Sequence, residues 1–420
     1  MWDLIIIGGG AAGLWAAGTA ATRHLRTLVL EKNVKLGVKI LMSGGSRCNI
    51  THNCDIQGIM AAFGKQGRFL KPALHGLDPQ AVVAEINRLG VPTKVEDTGK
   101  VFPVSDRALD VRDALVRRAT EAGATLRSGV AVKHFQRASD GSWQVFVEGE
   151  ELAARSVLLA SGGLSYAGCG TTGDGYPWAT ALGHTIEPTH PALTPLLSPA
   201  IWVHQLQGLT LPDVRVSAAL ADAKPDRDPR HTSRSSLLWT HFGFSGPAAM
   251  NVSGAVSALP QPHLARLVID LLPDVTETQC ADLFDSSGTH GKRTVQAVVG
   301  HWLPRRMTEC VLEQSEISQH VTLAELPRRQ RLRLIECLKR LTIPLAGTRG
   351  YPKAEVTAGG VCRQEVNPHT LESRLAPGLF FAGEILDIDG PIGGFNFQAA
   401  FATGHAAALA VRSPTTAPSV

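Results

Sequence analysis

Runs of apolar residues alternate along this chain with glycine-rich turns, and the lengths of the runs separate strands from helices. The first run, Trp2 to Ile7, breaks into the glycine sequence Gly8–Gly13, and an alanine-rich stretch follows. A second run begins at Thr27 and stops at the acidic residue Glu31. Short apolar runs bounded by glycine indicate buried strands, and the small-residue stretch between them indicates a closely packed helix. The pattern predicts a strand–helix–strand unit at the start of the chain.

Further strands and helices are predicted by the same reasoning. From about Pro188 to Pro273 short apolar runs are separated by Pro, Gly and Asp, which predicts a β-rich insert. Between Thr276 and Arg340 the apolar residues recur at helical spacing, and a last helix is predicted from Gln398 to Ala410. Strand patterns cover Ala124 to Phe135, Trp143 to Val147, Val157 to Ala160, Val214 to Leu220, Ala265 to Asp270, and an apolar run from Leu379 that ends in Gly383 and Glu384.

The glycines of the first turn predict a nucleotide-binding site. In a strand–turn–helix of this kind, Gly8 permits the tight turn, Gly10 lets the backbone approach a pyrophosphate, and Gly13 lets the helix pack on the strand. Backbone N–H groups at the helix N-terminus then face the phosphates. Glu31 stands at the spacing of the acidic residue that accepts hydrogen bonds from ribose hydroxyls. The four residues together predict a dinucleotide-binding βαβ unit.

Composition indicates a globular protein of the cytosol. The 420 residues are enough for two or three domains, and no stretch of about 18 apolar residues predicts a membrane span. The first run does not resemble a signal peptide, because no basic residue precedes it and glycines interrupt it. The seven cysteines lack CxxC and Cys/His metal spacing, which predicts a reducing, cytoplasmic location and no metal site: Cys48, Cys54, Cys169, Cys280, Cys310, Cys337 and Cys362.

Charge gives little reason to expect a nucleic-acid partner. The chain has 41 Lys and Arg against 37 Asp and Glu, a net charge of +4. The basic stretch from Arg328 to Arg340 allows two interpretations, a nucleic-acid patch or the solvated face of an amphipathic helix, and the second is favoured. We therefore expect a small-molecule substrate and neither a nucleic-acid nor a membrane partner.

Seven sequence motifs occur in one order along nearly the whole chain. They are GGGAAG at Gly8, SGGSRCN at Ser43, ASGGLSY at Ala160, GTTGDGY at Gly170, THFGFSGPA at Thr240, AGEILDIDG at Ala382 and GGFNFQAAFATG at Gly393. Together they resemble the family of bacterial flavoproteins that includes aminoacetone oxidase and the bile-acid-inducible flavoprotein reductases. Ser46 departs from the family pattern, since a third glycine is usual there.

The resemblance implies an α/β fold. It is the two-dinucleotide-binding-domain (Rossmann-like) FAD fold, interrupted by an inserted β-barrel domain and a small helical insert. The cofactor would be noncovalent FAD. The expected division is a first part of the FAD domain at 1–187, a β-barrel-like insert at 188–273, a helical insert at 274–340, return strands at 341–358 and the second part of the FAD domain at 359–420.

Roles for the cofactor-binding residues follow from the resemblance and from glycine chemistry. The first glycine turn would hold the pyrophosphate, Glu31 and Lys32 the adenosine ribose, and Val130 the adenine through its backbone. The second glycine loop and the glycines before the last helix would meet the ribityl chain and the flavin ring. Asp389 would bind ribityl hydroxyls or cap its loop. The full set is Gly8, Gly10, Ala11, Ala12, Gly13, Glu31, Lys32, Lys39, Ser43, Gly45, Arg47, Cys48, Asn49, Val130, Ala160, Gly162, Gly383, Glu384, Asp389, Gly393, Gly394, Phe395 and Asn396.

Candidates for catalysis are fewer. His241 is a candidate acid or base, because an imidazole exchanges protons near neutral pH, and its alternative is a structural role at a domain junction. Cys48 is either a redox-active thiol beside the flavin or a small packing residue. Tyr166 and Asp174 are further candidates that could equally stabilise turns.

The expected function is that of an FAD-dependent oxidoreductase, which exchanges a hydride at flavin N5 with a small amine or an unsaturated carbonyl compound. NAD(P)H is a possible transient electron donor, although no second complete glycine motif for it is visible. The alternatives are an RNA-directed flavoprotein similar to tRNA-modifying enzymes and a flavin-binding regulator without turnover.

Overall fold

The computed structural model describes residues 1–220, 232–284 and 291–413, which fall into two compact units. The first unit combines Met1–Pro191 with Glu355–Val420, and the second is the continuous segment Ala192–Ala354. The finer division into five parts stays a prediction.

Nineteen strands and fourteen helices are described, numbered here in chain order. The strands are β1 (Trp2–Ile7), β2 (Thr27–Glu31), β3 (Thr51–His52), β4 (Thr93–Val95), β5 (Lys100–Pro103), β6 (Thr125–Ser128), β7 (His134–Arg137), β8 (Trp143–Val147), β9 (Glu150–Leu159), β10 (Ile186–Ala192), β11 (Leu196–Leu197), β12 (Thr210–Leu220), β13 (Thr232–Thr240), β14 (Gly243–Ser245), β15 (Ala265–Asp270), β16 (Leu341–Pro344), β17 (Gly347–Thr348), β18 (Val356–Val361) and β19 (Leu379–Phe381). The helices are α1 (Ala11–Thr22), α2 (Val38–Met42), α3 (Ile56–Ala62), α4 (Gly67–Gly76), α5 (Pro79–Arg88), α6 (Ala108–Glu121), α7 (Gly175–Ala181), α8 (Ile201–Gln205), α9 (Pro247–Ser257), α10 (Glu277–Leu283), α11 (Val295–Val299), α12 (Arg305–Gln314), α13 (Arg328–Arg340) and α14 (Phe395–Ala410).

A mostly parallel sheet forms the centre of the first unit. β1 lies between β2 and β9 and runs parallel to both, and β6 extends the sheet beyond β2. β9 is long enough to pair twice: its first half pairs with antiparallel β8, and its last residues pair with parallel β19. Because β1, β2, β9 and β19 run in one direction, their carboxyl ends lie at the same edge of the sheet. The predicted α/β, Rossmann-like fold is confirmed.

Two helices made largely of small residues pack on each other in this unit. α1 and α14 are buried on most sides, and a Cβ atom added at Gly404 would lie 2.4 Å from the Ala12 carbonyl oxygen. The rings of Trp15 and Phe401 lie 4.7 Å apart within the same contact. Glycine and alanine permit this close approach, which joins the two ends of the chain in one core.

The second unit contains an open antiparallel sheet rather than a closed barrel. The strand order is β16–β15–β12–β13–β14–β11–β17, and no pairing among the described residues joins the two edge strands. The predicted β-barrel insert is therefore not confirmed. The helices α10 to α13 follow β15 along the chain, and the buried residues Val295, Leu334 and Leu338 belong to the same apolar core as the sheet.

Single residues account for the remaining differences from the predicted elements. The apolar run from Ala124 to Phe135 forms two strands, β6 and β7, because Gly129 takes a positive φ of +73° between them. α14 begins at Phe395, three residues before the predicted start, since Gly394 caps it with a φ of +89°. None of the helices in the described ranges is both long and apolar enough to cross a membrane.

Candidate functional site

Four strand ends bring the predicted cofactor residues together. Gly8 follows β1, Glu31 ends β2, Ala160 follows β9, and Ala382 follows β19. The Gly8 amide donates to the Leu30 carbonyl at 2.9 Å, and the Ala160 amide donates to the Ile7 carbonyl at 2.9 Å. Ligands of open α/β sheets bind outside the carboxyl ends of the strands.

The three motif glycines meet different surroundings. Gly8 has a φ of +110°, and a Cβ atom there would lie 2.3 Å from the Ala160 carbonyl oxygen. A Cβ atom at Gly13 would lie 1.9 Å from the Gly8 carbonyl oxygen, so this residue allows the helix to pack on the strand. At Gly10, the N-cap of α1, no described atom lies within 4 Å of the Cβ position. Space therefore exists at the helix N-terminus, where a pyrophosphate would bind.

Glu31 ties the glycine turn to the end of β2. Its side chain is buried, and its two carboxylate oxygens accept hydrogen bonds from the backbone amides of Gly9 and Asn33, both at 2.8 Å. The Val130 amide donates to the Glu31 carbonyl at 2.9 Å. A carboxylate oxygen accepts more than one hydrogen bond, so ribose binding at Glu31 stays a prediction that this arrangement permits. An adenine contact at Val130 would use its carbonyl.

Two basic residues that were predicted to contact the cofactor, Lys32 and Arg47, form ion pairs with carboxylates. Lys32 pairs with Asp174. The Arg47 guanidinium donates to the Glu96 carboxylate at 2.7 Å and lies 4.0 Å from the centre of the Phe102 ring, and the hydrogen bond to Glu96 raises the pKa of Arg47. Contacts of Lys32 and Arg47 with a cofactor stay predictions.

The second glycine loop is built from left-handed residues. Gly44, Gly45, Ser46 and Cys48 have φ values of +55°, +67°, +67° and +62°. A side chain is disfavoured in this region of backbone space, which explains why glycine is usual where this chain has Ser46. No described atom lies within 4 Å of a Cβ atom placed on Gly45, and the Ser43 hydroxyl donates to the Ile40 carbonyl at 2.7 Å.

The environment of Cys48 favours the packing interpretation over the redox one. The side chain is fully buried, and burial raises the pKa of its thiol to about 12. A thiol with such a pKa is protonated near neutral pH and is a poor nucleophile.

The start of α14 is fixed to the second glycine loop. With its amide oxygen directed towards Gly394, Asn49 accepts from the Gly394 amide at 2.9 Å and donates to the Thr51 carbonyl at 3.1 Å. The rings of Phe395 and His52 stack at 4.6 Å. Asn396 closes the preceding loop through hydrogen bonds with the amide and the carbonyl of Gly390, both at 2.8 Å. The result is a rigid helix N-terminus whose dipole favours a nearby negative charge.

A partly buried ion pair joins four segments of the first unit. Lys39 pairs with Glu384 and donates to the Ser165 hydroxyl at 2.7 Å. Glu384 also accepts from the Thr357 amide at 2.9 Å and from the Ser165 hydroxyl. A Cβ atom at Gly163 would lie 2.4 Å from the Thr357 hydroxyl, so the ASGG turn leaves room for this network. Ser165 and Thr357 were not predicted as site residues.

We expect Glu384→Gln to lower the free energy of unfolding by about 2 kcal/mol, because the neutral amide removes the carboxylate that pairs directly with the Lys39 ammonium in a partly buried site. Thermal and urea denaturation would measure the change. Glu309→Gln is the control, since its partner Arg305 is 87% exposed in its side chain, and this variant should keep the wild-type Tm. Equal changes in the two variants would contradict the prediction.

A second cluster of carboxyl groups lies on the loop before α14. The Gln66 side chain donates to Asp389 at 3.1 Å and accepts from the Asp389 amide at 3.0 Å. Arg363 donates to Asp387 at 2.9 Å. Burial raises the pKa of both carboxyl groups. Asp389 thus caps its loop through Gln66, while ribityl binding stays a prediction.

His241 lies in the second unit, in the turn between β13 and β14, with its side chain exposed. Its ring contacts the Phe242 ring edge-on at 5.0 Å. A role as acid or base therefore stays a prediction.

The residues at the sheet edge fit a dinucleotide such as FAD. Open space lies at Gly10 and Gly45, and both positions expose backbone next to a glycine turn. In the described part of the chain, the buried hydroxyl of Ser161, next to Ala160, has no hydrogen-bond partner, which leaves it free for a ligand.

Comparisons with known proteins agree with this geometry. The family described as HI0933-like protein Rossmann domain matches residues 2–410. The chain is 32% identical over 411 residues to ribosomal RNA dihydrouridine synthase of Escherichia coli, covering 97% of each protein. It is 31% identical over 412 residues to 3-dehydro-bile acid delta(4,6)-reductase of Clostridium scindens, covering 96% of this chain and 98% of that protein. Its fold is similar to that of 3-ketosteroid-delta4-(5alpha)-dehydrogenase from Rhodococcus jostii RHA1, with a TM-score of 0.53, 16% identity, and coverage of 98% of this chain and 96% of that one.

Proposed function

The chain belongs to the HI0933-like Rossmann-domain family of FAD-dependent oxidoreductases, and on that premise we propose that it reduces a carbon–carbon double bond conjugated to a carbonyl group. This is the unsaturated-carbonyl form of the function expected from the sequence.

The chemistry shared by two full-length relatives carries the proposal. One relative is named for making dihydrouridine in ribosomal RNA, and the other for reducing a dehydro bile acid. A uracil ring and an unsaturated oxo steroid differ in shape and polarity, but each presents a double bond in conjugation with a carbonyl group. Similar identity to both relatives, 32% and 31%, supports the shared reaction rather than either substrate.

The chain's own residues would hold the cofactor at the sheet edge. The amides of the Gly8–Gly13 turn would bind the pyrophosphate, and Glu31 would accept from the adenosine ribose. The N-terminus of α14, with Gly394 and Phe395, would face the flavin and favour negative charge there. When bound, FAD supplies two electrons as a hydride.

The substrate needs one proton in addition to the hydride. In a conjugate reduction the hydride adds to the carbon β to the carbonyl, and the α carbon takes a proton. We propose His241 as the acid, because an exposed imidazole can exchange its proton with solvent between turnovers. Cys48 is not proposed for this role, since its thiol is buried and its pKa is raised to about 12.

Anaerobic flavin spectroscopy tests the proposal. Enzyme reduced by light or by NADH or NADPH, the proposed transient donors, is mixed with a uridine-containing RNA, with free uridine or with an unsaturated oxo steroid. We expect at least one of these compounds to restore the visible absorbance of oxidised flavin, and the saturated analogue of the same compound to have no effect.

Reduction of the oxidised flavin by an amine, without reoxidation by a conjugated carbonyl compound, would contradict the proposal. If small amines bleach oxidised enzyme, while no conjugated carbonyl compound reoxidises reduced enzyme, the protein is an amine oxidase or dehydrogenase and the proposal is wrong.

A further inference from the structure

A strip of basic side chains runs along the exposed side of α4 and the turn before it. Lys65, Arg68, Lys71 and His75 are all exposed, and the last three recur about once per helical turn of α4. The opposite side of the helix is buried through Leu70 among others. The four residues therefore share one solvent-facing surface, called here the α4 strip.

The α4 strip lacks countercharges of its own. No Asp or Glu occurs in the sequence between Asp55 and Asp78. In the portion of the chain that the structure describes, Lys65, Arg68 and Lys71 form no ion pair.

The basic helix α13 differs in this respect. Its Arg333 pairs with Glu316, Lys339 with Asp270, and Arg340 with Glu277. Half of the basic residues of the 328–340 stretch are thus neutralised within the second unit. The other three, Arg328, Arg329 and Arg331, form no ion pair among the described residues, so α13 and the α4 strip have equal numbers of unpaired Lys and Arg.

The α4 strip begins next to the candidate cofactor site. Gln66, between Lys65 and Arg68, is hydrogen-bonded to the side chain and the amide of Asp389 at 3.1 and 3.0 Å. Asp389 lies on the glycine-rich loop that leads through Gly394 into α14. The strip therefore starts beside a residue, Gln66, that contacts the loop predicted to hold the flavin.

We propose that the α4 strip binds the phosphate backbone of single-stranded RNA, for example a loop, so that a base beside the bound phosphates reaches the glycine-rich loop. This inference rests on the proposed function, because a uracil base is then the conjugated carbonyl compound. Unpaired Lys and Arg side chains provide the sequence-independent attraction of RNA-binding surfaces, and unstacked bases in loops are accessible to an enzyme.

The composition of the surface favours a dissolved polyanion over a lipid membrane. A helix that lies on a membrane presents large apolar side chains next to its basic ones. Among the described residues between Asp55 and Asp78, no large hydrophobic side chain is exposed. The strip thus offers charge without an apolar surface for insertion.

Charge-neutral variants of the holoenzyme test the inference. The probe is a fluorescein-labelled stem–loop RNA with uridines in its loop, and fluorescence anisotropy gives Kd over a series of salt concentrations. We expect Lys65→Gln/Arg68→Gln/Lys71→Gln to weaken binding about 10- to 100-fold at low salt and to reduce the slope of log K against log salt by about 2, since each contact to a single-stranded phosphate contributes about 0.7.

The matched control removes three charges from α13. Arg328→Gln/Arg329→Gln/Arg331→Gln should bind the RNA within about twofold of the wild type, since the contacts proposed lie elsewhere. Both triple variants should keep the FAD content and the Tm of the wild type. Wild-type affinity in the α4 variant, an equal loss in both variants, or binding to phosphatidylserine vesicles with no binding to RNA would each overturn the inference.

Measuring RNA binding and flavin reoxidation in the same preparations distinguishes a failure of this inference from a failure of the proposed function. If RNA binds through the strip but no conjugated compound reoxidises the reduced flavin, the reductase proposal fails and the binding surface stands. If free uridine or an unsaturated steroid is reduced and the RNA does not bind, the binding surface fails and the reductase proposal stands.

Discussion

Gly10→Val is expected to give a folded protein that purifies without FAD. The backbone of Gly10, with φ −83° and ψ −165°, lies in the extended region that valine adopts, and no described atom lies within 4 Å of its Cβ position. The added side chain therefore fits the protein but fills the space predicted for the pyrophosphate. Loss of one or two charge-assisted hydrogen bonds, each worth about 1.5 to 3 kcal/mol, would weaken FAD binding about 10- to 10⁴-fold.

The flavin absorbance of the purified protein and its circular dichroism measure this result. Gly76→Val, at the exposed end of α4, is a control in which the Cβ atom also meets only ordinary contacts, and it should retain FAD. Gly13→Val should fail differently, through loss of folding, because its Cβ atom would overlap the Gly8 carbonyl oxygen at 1.9 Å. Full FAD occupancy in Gly10→Val would show that the pyrophosphate does not bind at this turn.

His241→Ala is expected to lower kcat by about 10²- to 10⁴-fold with the FAD content unchanged, if the imidazole delivers the substrate proton as proposed. Because the side chain is exposed in the turn between β13 and β14, its truncation removes little packing, and the fold should tolerate the change. Steady-state kinetics with the compound that reoxidises the flavin would measure the effect.

An exposed histidine of the same unit provides the control. His263→Ala should leave kcat unchanged. A lower Tm and loss of FAD in His241→Ala, in place of slower turnover, would identify a structural role for this histidine. An unchanged kcat in the folded protein would exclude histidine from the proton transfer.

The parts of the fold that depend on neighbouring residues could be predicted from the sequence. β1, α1 and β2 follow from the apolar runs and the glycine turn, and the strands Trp143–Val147 and Ala265–Asp270 have the predicted ends. The strand pairing of the insert could not be predicted, because it depends on contacts among strands distant in sequence. An open sheet and a closed barrel have the same alternating pattern along each strand.

Some residues of the candidate site could be predicted from a local motif, and others could not because they depend on contacts with residues distant in sequence. Gly8 and Glu31 belong to one short motif whose spacing predicts them, whereas the left-handed backbone at Ser46 was not predicted. Gln66 contacts Asp389, 323 residues away, and the Thr357 hydroxyl accepts from the Leu164 amide, 193 residues away, so no local pattern marks either residue.

The double pairing of β9 constrains how this protein is made. On the ribosome, the segment Val157–Leu159 is synthesised long before its parallel partner β19, and the whole second unit lies between them. A nascent chain therefore carries an unpaired apolar strand edge until β19 has been synthesised, and such edges promote association with other chains. The second unit, which is continuous in sequence, can complete its fold during that interval. Slow translation anywhere between β9 and β19 should thus lower the yield of soluble protein.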